Sequence, residues 1–475
     1  MAPGDAVRLY HELTSYGPWE GWPPPAKHPL VRQDFEPNVL ETFPSPCKSY
    51  AIDLPIVDLP HDWPRKGDST TALIAGTCMP SAAPLDLPRL ARLLHLSAGI
   101  VRITARPNGL RIHFRAAGSA GARFPLELYV AACGVDDLPD GVHWFDPLNH
   151  ALVQVGPPPE GEATTLVVTG VPWQTGWRYS ERGWRHIYWD AGTMLSQTLA
   201  VAEDSGLQPR LRTVFPDDQV TRLVGADGVH EFPVALVSFG TGEPAVRPSG
   251  EAVAGAVDHQ PPVEFPLVTK AQRAGNSDEL GEPWPADDPL PGDPPDSAGL
   301  DDVILLRGST RTFDPDRSVS RELFEWLLAA SLRGSRVPHF VAVHAVDGLE
   351  PGLYRWPSLD TPLRTGDLRD ELFHVCLDQE LGRDAAFVVV GAVDLDRIDD
   401  RGYREAQLDS GIVEGRLHLA AYALGIGASG MTFADSEIEA LLGEPLGALL
   451  FTCVGVPTYK TRPGGAPGAP RQAAV

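Results

Sequence analysis

Apolar residues recur with helical spacing in two long stretches of the chain, one in each half. The first stretch runs from Ala191 to Ala202 and the second from Val413 to Leu424. A spacing of three or four residues places apolar side chains on one face of a helix. We therefore predict two long helices, each with this face packed against a core rather than lining a ligand site.

Each half is also predicted to open with a shorter helix and to continue in strands. Asp86 precedes Leu87 and Pro88, which is a typical helix start, and Ser320 precedes an apolar helical face in the same way. Runs rich in apolar and β-branched residues predict strands at residues 126–132, 235–239, 340–346 and 449–454.

The two long predicted helices belong to an internal repeat. Residues 184–192 read WRHIYWDAG and residues 403–411 read YREAQLDSG, a separation of 219 residues that Gly206 and Gly425 share. A repeat of this kind changes the predicted fold of the whole chain, because each copy is expected to form the same structural unit. The alternative is that an Asp-small-Gly capping arrangement arose twice. We favour duplication, since the matches keep one order along the chain.

The repeat divides the chain into five predicted segments. Residues 241–298 are dense in Pro, Gly, Asp and Glu, and such a composition does not bury a core and predicts a linker or an extended wrap. The Gly/Ala/Pro-rich tail is expected to be flexible. The predicted layout is an N-terminal extension wrapping the first unit (1–70), the first unit (71–240), the linker (241–298), the second unit (299–462) and the tail (463–475).

Composition and charge narrow the classes of function. The 475 residues carry a net charge of −24 at pH 7, which disfavours nucleic acid and anionic membrane as partners because both repel an acidic surface. No apolar stretch approaches the length that spans a bilayer. The five cysteines are scattered without a CxxC pair, so we expect reduced thiols, no disulfide framework, no zinc or other metal site, and a cytoplasmic location.

The clearest candidate for chemistry is Arg307-Gly308-Ser309-Thr310-Arg311, just before the helix that Ser320 is expected to cap. Arg307, Ser309 and Arg311 alternate along an extended segment and so point to one side. Two guanidinium groups and a hydroxyl offer several charge-assisted donors to a phosphate or to the ring oxygens of a flavin. The alternative is a solvated basic loop.

Two glycine-rich loops are further candidates. Residues 115–125 read RAAGSAGARFP, where small residues let backbone N–H groups approach a planar ligand and Ser119 and Arg123 add side-chain donors. Residues 425–432 read GIGASGMT, a run of small residues whose backbone amides are able to lie against a flavin edge. The alternatives are a flexible loop before a strand and a helix that ends in glycines.

Further stretches complete a resemblance to the SagB-type dehydrogenases of the nitroreductase superfamily. Residues 307–311 resemble the R-x-S-x-R that holds FMN in nitroreductases, and the order of the motifs is more specific than any one of them. The other motifs that resemble the family are YHELT (10–14), PCKSY (46–50) with the Leu-Pro at 59–60, SAGARFPLELY (119–129), GVHWFD (141–146) and ERGWR (181–185).

The resemblance implies an α+β fold in which helices surround an antiparallel sheet, with two such nitroreductase-like units fused into an intramolecular pseudo-dimer. It also implies FMN held between the units. The residues so implied to bind FMN are Arg307, Ser309 and Arg311 of the second unit, Ser119 and Arg123 of the first, Gly430 or Met431 near the ring, and Arg462 or Arg471 as a further phosphate contact.

The activity that the resemblance implies is the oxidation of an azoline ring in a modified peptide, by proton removal from carbon and hydride transfer to flavin N5. Several members of the group carry a Lys-Tyr pair where this chain has Arg178 and Tyr179. A guanidinium stays protonated and cannot replace lysine as a base. Tyr179 remains as the candidate acid or base, and the alternative is a structural tyrosine.

Three functions stay open at this point. The leading prediction is an FMN-dependent dehydrogenase or oxidase of a modified peptide or a small secondary metabolite. The second is an NAD(P)H-dependent reductase of nitro or quinone compounds, and the third is a nitroreductase-derived scaffold that binds a partner without turnover. In each, the halves pair within one chain, and further oligomerisation is compatible with the sequence.

One FMN per chain is expected rather than two. The counterpart of residues 307–311 in the first unit should lie within residues 71–81, and no basic residue occurs from Asp68 to Pro88. A phosphate at that place would lack charge-assisted donors. The alternative is that distant arginines supply them.

Overall fold

The chain folds into helices around two antiparallel sheets. The computed structural model describes residues 2–17, 28–32, 34–64, 67–78, 80–106, 109–258 and 262–473. The helices are α1 (Asp5–Leu13), α2 (Thr70–Ile74), α3 (Leu87–Ala98), α4 (Pro172–Tyr179), α5 (Gly183–Asp204), α6 (Asp217–Leu223), α7 (Pro266–Ala274), α8 (Leu300–Leu306), α9 (Arg321–Ser331), α10 (Arg369–Val375), α11 (Glu380–Asp384), α12 (Asp400–Ala423) and α13 (Ile438–Leu442). The strands are β1 (Ile56–Asp58), β2 (Ile100–Ala105), β3 (Arg111–Arg115), β4 (Leu126–Ala132), β5 (Gly141–Asp146), β6 (Ala151–Gly156), β7 (Thr165–Gly170), β8 (Pro209–Arg212), β9 (Phe232–Phe239), β10 (His339–Val343), β11 (Gly352–Arg355), β12 (Arg364–Thr365), β13 (Phe387–Val393), β14 (Gly427–Met431), β15 (Gly447–Gly455) and β16 (Arg471–Ala473).

The two large sheets repeat one strand order. The first runs β1-β6-β5-β4-β7-β9-β8 and the second β12-β11-β10-β13-β15-β14, so each strand from β4 to β9 has its equivalent six strands later. All pairings within these two sheets are antiparallel. We call the elements from α2 to β9 the first unit and those from α8 to β15 the second unit. The predicted α+β fold of two such units is confirmed.

The elements predicted from periodicity are present with small shifts at their ends. The two apolar stripes lie in α5 and α12, and the predicted strand at 126–132 is β4. Asp86 and Ser320 cap α3 and α9, because their side chains accept hydrogen bonds from the backbone N–H of Arg89 and Leu323. Capping residues and periodicity are local signals, which is why they located these elements.

The repeated helices α5 and α12 pack against each other at the glycines of the repeat. A Cβ added to Gly192 would lie 2.3 Å from the carbonyl oxygen of Leu408, and one added to Gly411 would lie 2.4 Å from that of Trp189. Only glycine permits so close an approach of two helix backbones. The Asp-small-Gly repeat therefore marks the crossing of the two units.

Reciprocal ion pairs flank this crossing. At the start of α5, Arg182 and Arg185 contact Asp435 of the second unit, with N–O distances of 2.5 and 2.6 Å. At the start of α12, Arg401 and Arg404 contact Asp217 of the first unit at 2.8 and 3.0 Å. The two sets of arginines are separated by 219 residues, as the repeat is. Each unit thus holds an aspartate of the other.

Three connecting segments differ from what composition predicts. The linker contains α7, whose Phe265 and Leu267 are buried in the main core, so the prediction that residues 241–298 bury no core was wrong there. The predicted flexible tail pairs as β16 in parallel with β2, and the backbone N–H of Gly464 donates to the carbonyl of Leu305 at 2.7 Å. The N-terminal extension contacts the first unit through β1 and also places α1 against α12.

Two absences hold for the part of the chain that the structure describes. No helix there is long and apolar enough to cross a membrane. The five cysteines, all within that part, form no disulfide.

Candidate active site

A cavity of about 370 Å³ lies between residues 307–311 of the second unit and strands β2 and β3 with the following loop of the first. Its volume falls within the range of roughly 300–1,000 Å³ that small-molecule sites occupy. Four of the residues predicted from sequence line it, namely Ser119, Arg307, Ser309 and Arg311.

Residues 307–311 are held in place by Thr310. The backbone N–H of Thr310 donates to the carbonyl of Ala428 in β14 at 2.9 Å, and the Thr310 hydroxyl lies 3.3 Å from that of Tyr422 in α12. Thr310 is fully buried. Thr310 points inward, whereas Arg307, Ser309 and Arg311 line the cavity together with Gly308, so the predicted alternation holds for the side chains.

Arg307 is buried in the wall of this cavity with unused donors. Its Nη2 donates to the carbonyl of Ala116, whereas Nε and Nη1 have no hydrogen-bond partner among the described residues. Burial, followed by the neighbouring charge of Arg102, lowers the pKa of Arg307 to about 10. Buried donors without partners are costly, so this side chain fits a ligand that brings acceptor oxygens into the cavity.

Two arginines that the sequence did not single out also line the cavity. Arg102 of β2 donates to the carbonyl of Leu305 at 2.6 Å, and Arg115 of β3 donates to that of Leu126 at 2.6 Å. Among the described residues that line the cavity there is no Asp or Glu. In a chain with a net charge of −24, this wall is a local concentration of positive charge. The available signal was an arginine inside the apolar strand β2 and another at the end of β3.

Polar side chains of α12 and of the segment after β15 close another part of the wall. Tyr422, Tyr459 and Thr461 line the cavity, and the Tyr459 hydroxyl accepts from the backbone N–H of Arg311 at 2.9 Å. Tyr422 stands 219 residues after Glu203, so the repeat itself showed a position where the halves differ. The predicted Arg462 is exposed and does not line the cavity, although its carbonyl accepts from Arg102 at 3.1 Å.

Ser119 reaches the cavity, but its hydroxyl has partners within the protein. It donates to Asp190 of α5 at 2.5 Å and accepts from the backbone N–H of Phe124 at 2.7 Å, and Asp190 also accepts from the backbone N–H of Ala120. Burial raises the pKa of Asp190 to about 8. Asp409 of α12 holds the equivalent loop in the same way, through the Ser335 hydroxyl at 2.9 Å and a backbone N–H. The shared arrangement indicates an architectural role.

Arg123 does not face the cavity. Its guanidinium lies over the rings of Phe43 and Trp177, at 4.4 and 5.0 Å from the ring centroids, and its Nε donates to the carbonyl of Gly121. Burial, followed by the charge of Arg178, lowers its pKa to about 10. Aromatic rings of the N-terminal extension and α4 hold this side chain, which a loop motif could not indicate.

Gly430 and Met431 lie in β14, behind residues 307–311, and neither lines the cavity. A Cβ added to Gly430 would lie 2.1 Å from an oxygen of Glu414, so this glycine makes room for that carboxylate. Met431 is 5% exposed and packs in the core of the second sheet. Neither residue therefore contacts the cavity, and a place for one of them near a flavin ring stays a prediction.

Tyr179 is the last residue of α4 and lies behind the loop that lines the cavity. Its ring stacks on His186 at a centroid distance of 4.2 Å, and a Cβ added to Gly121 would lie 2.6 Å from its hydroxyl. Burial raises its pKa, so the hydroxyl is neutral at physiological pH. Tyr179 contacts the loop that carries Ser119 and does not itself line the cavity.

Comparison with known proteins agrees with this geometry. Residues 304–456 match the sequence model of the Nitroreductase family. A protein of Methanocaldococcus jannaschii named for the nitroreductases is 22% identical over 174 residues, which are 34% of this chain and 82% of that protein. A solved structure from Anabaena variabilis, also described as a nitroreductase, is 24% identical, covers 95% of this chain and 99% of its own, and has a TM-score of 0.71, which shows a shared fold.

The cavity straddles the border of the residues that match the Nitroreductase family. Arg307, Ser309, Arg311 and Tyr422 lie within the matched residues 304–456, whereas Ser119 and the arginines of β2 and β3 lie outside them. The matched residues therefore supply part of one wall, and the first unit supplies the other. Within the described residues, no group of three or more His, Cys, Asp or Glu side chains is placed to hold a metal ion.

Proposed function

We propose that this chain is an FMN-dependent oxidoreductase that holds its flavin in the cavity between the two units. The observation that carries the proposal is Arg307, a buried guanidinium with two donor nitrogens unpaired toward the cavity. A flavin mononucleotide offers what these donors lack, because its phosphate and its ring carbonyls are acceptors. The match of residues 304–456 to the Nitroreductase family supports the same cofactor class.

The lining residues fit such a group in charge and in shape. Arg307 and Arg311 would give charge-assisted hydrogen bonds, and Ser309 would add a hydroxyl. A Cβ added to Gly118 would come within 3.3 Å of Arg307 Nη1, so glycine there leaves the guanidinium room beside a flat ligand. Phe114 and Phe124 supply apolar wall that excludes water. We do not assign Arg123, Gly430 or Met431 a direct contact.

The flavin, when bound, supplies the hydride chemistry, and the protein supplies position and charge and exchanges a proton with the substrate. Tyr179 is the residue we propose for that exchange. Burial keeps its phenol neutral, so it would donate a proton in a reduction, whereas in the oxidation of an azoline it would have to accept the proton lost from carbon. Its hydroxyl approaches Gly121, in the loop whose residues Ser119, Ala122 and Phe124 line the cavity. Arg178, exposed beside it, would keep a positive charge near the substrate entrance.

The substrate that we propose is an azoline-like ring in a modified peptide, or a small secondary metabolite, oxidised with oxygen as the final acceptor. The resemblance of the ordered motifs to SagB-type dehydrogenases supports this direction. The second candidate is an NAD(P)H-dependent reductase of nitro or quinone compounds, which the match to the Nitroreductase family favours. A protein that takes up no flavin would instead be the scaffold.

Anaerobic titration of the purified apoprotein with FMN separates these functions. We expect a yellow complex that saturates near one equivalent per chain, and an endpoint at two equivalents would contradict a single site. Bleaching of the bound flavin by NADPH would favour the reductase. Bleaching by an azoline peptide and not by NADPH would favour the dehydrogenase. A protein that stays colourless would refute flavin binding.

A further inference from the structure

The first unit has a direct counterpart of residues 307–311. Residues 73–78 read LIAGTC and follow α2, just as residues 305–310 read LLRGST and follow α8. Ala75 thus stands where the second unit has Arg307, which agrees with the expected position within residues 71–81. The counterpart of Arg311 is Met79, which lies outside the described residues.

An arginine of the facing loop, rather than of the segment itself, reaches the position beside Ala75. Arg333, in the loop after α9, donates through Nη2 to the carbonyl of Ile74 at 3.0 Å, and a Cβ added to Gly76 would lie 2.5 Å from its Nη1. In the cavity, Arg307 projects from the segment toward the loop at Ala116. In the counterpart, the guanidinium projects from the loop toward the segment. Positive charge is therefore present at both places.

The counterpart is filled by the linker. The backbone N–H of Leu290 donates to the carbonyl of Ala75 at 2.9 Å, and Arg333 Nη1 donates to the carbonyl of Asp287 at 3.0 Å. The Asp287 carboxylate accepts from Arg416 of α12 at 2.8 Å, in an ion pair whose side chains are 20% and 10% exposed.

The fit of the linker resembles that of a bound molecule. A Cβ added to Gly334 would lie 1.5 Å from an Asp287 oxygen, so the carboxylate occupies the space in front of a glycine. The equivalent glycine in the first unit is Gly118, which lines the open cavity. The Arg336 guanidinium lies 3.7 Å from the ring centroid of Trp284, which adds a cation–π contact at the other end of the segment.

We infer that residues 284–290 are a built-in ligand, with Asp287 as the anionic group in a latent anion site formed by Arg333 and Arg416. That this site is the counterpart of a flavin cavity rests on the proposed function, whereas the anion site itself does not. The linker then fills the second site permanently, and the chain keeps one open cavity.

Chemical rescue of an Asp287→Ala variant tests the inference without any flavin. Removing one partner of a partly buried ion pair is destabilising, so we expect the thermal midpoint of the apoprotein to fall by about 3 °C or more. Formate is the probe, because it restores a carboxylate of the right size. We expect 100 mM-range formate to raise the midpoint of the variant by at least half of the loss, beyond the effect of sodium chloride at equal ionic strength.

Asp288→Ala is the matched control, since Asp288 is exposed and contacts Arg333 only through its backbone carbonyl. It should change the midpoint little and gain nothing from formate. The inference is overturned if Asp287→Ala and Asp288→Ala unfold alike, or if formate and chloride act equally on Asp287→Ala. Neither result would bear on flavin binding in the other cavity, which the FMN titration measures separately.

Discussion

The two units share the contacts that hold their own folds together. They differ at the cavity beside residues 307–311 and at the equivalent place in the first unit. In both, an aspartate of the long helix holds a serine and a backbone N–H of the neighbouring loop, as Asp190 and Asp409 do. In the second unit, Arg307 faces an open cavity. In the first, Ala75 stands at that position and receives a hydrogen bond from the linker.

This difference separates structural residues from functional ones without any other sequence for comparison. A contact that both units make is explained by the fold, because each copy needs it. A side chain found in one unit alone needs another explanation. Arg307 and Tyr422 belong to the second class, since Ala75 and Glu203 replace them in the first unit. Asp190 belongs to the first class, in spite of its unusual pKa.

The largest expected effect comes from removing both arginines of the segment that differs between the units. Each charge-assisted bond contributes about 1.5–3 kcal/mol, so Arg307→Ala with Arg311→Ala should weaken FMN binding by about 10²–10⁴-fold. Fluorescence titration of apoprotein gives the dissociation constant. Arg321→Ala with Arg397→Ala, two exposed arginines of the same unit, is the control and should bind normally. An affinity within threefold of the wild type would remove the arginines from the site.

The sequence predicted what depends on local pattern and missed what depends on distant pairing. Strand β4 and the caps at Asp86 and Ser320 followed from periodicity and residue type, and residues 307–311 were found by their alternation. Arg123 was misplaced, because the rings that hold it come from elsewhere in the chain. Strand β16 was missed, since it pairs with β2 across more than 360 residues.

The next largest effect is expected on the free energy of unfolding, where the two reciprocal ion pairs can be compared. Asp435→Asn leaves Arg182 and Arg185 buried without a counter-charge and should cost about 3–5 kcal/mol of unfolding free energy in denaturant titrations. Asp217→Asn should cost less, because Arg401 is more exposed. Glu444→Gln, in an exposed pair with Arg355, is the control and should cost less than about 1 kcal/mol.

The stability that the Asp435 ion pair contributes should be lost in acid. The charges of Arg182 and Arg185 hold the pKa of Asp435 well below its ordinary value, even though burial acts to raise it. A carboxylate with a lowered folded pKa stabilises fully above its unfolded pKa, near 4, and loses that contribution as pH falls toward the folded pKa. The stability difference between wild type and Asp435→Asn should therefore be constant from pH 5 to 8 and shrink below pH 4. A difference that grew in acid would contradict the pairing.

A smaller effect is expected for Tyr179→Phe, at a position that the cavity approaches only through Gly121. If the phenol is the proton donor, the variant should keep FMN and lose about 10²-fold in turnover, the low end for a general acid. The pH profile of the residual rate should also lose its dependence on this group. Tyr188→Phe, whose buried hydroxyl donates to Gln272, is the matched control. Equal rates in both variants would make Tyr179 structural.

The smallest effect is expected at the Ser119 hydroxyl. It shows whether this hydroxyl only makes a contact that both units share or also contacts the ligand. Ser119 lines the cavity, yet its hydroxyl is bonded to Asp190 and Phe124, and Ser335 bonds to Asp409 in the other unit. Because burial raises the pKa of Asp190 to about 8, the carboxyl is protonated at pH 7 and the bond is that of a neutral pair. Ser119→Ala should therefore cost about 1–2 kcal/mol of stability, and Ser335→Ala about 1 kcal/mol.

If the hydroxyl serves only the loop, both serine variants should bind FMN within about threefold of the wild type once folded, a difference below 1 kcal/mol. If Ser119 also contacts the flavin, its variant alone should lose affinity by about tenfold, the equivalent of one neutral hydrogen bond. Paired thermal unfolding and FMN titration on both variants measures the two quantities separately. Equal stability losses with equal affinity would assign Ser119 to the architecture that the two units share, and the open cavity would then owe its ligand contacts to the arginines that only one unit carries.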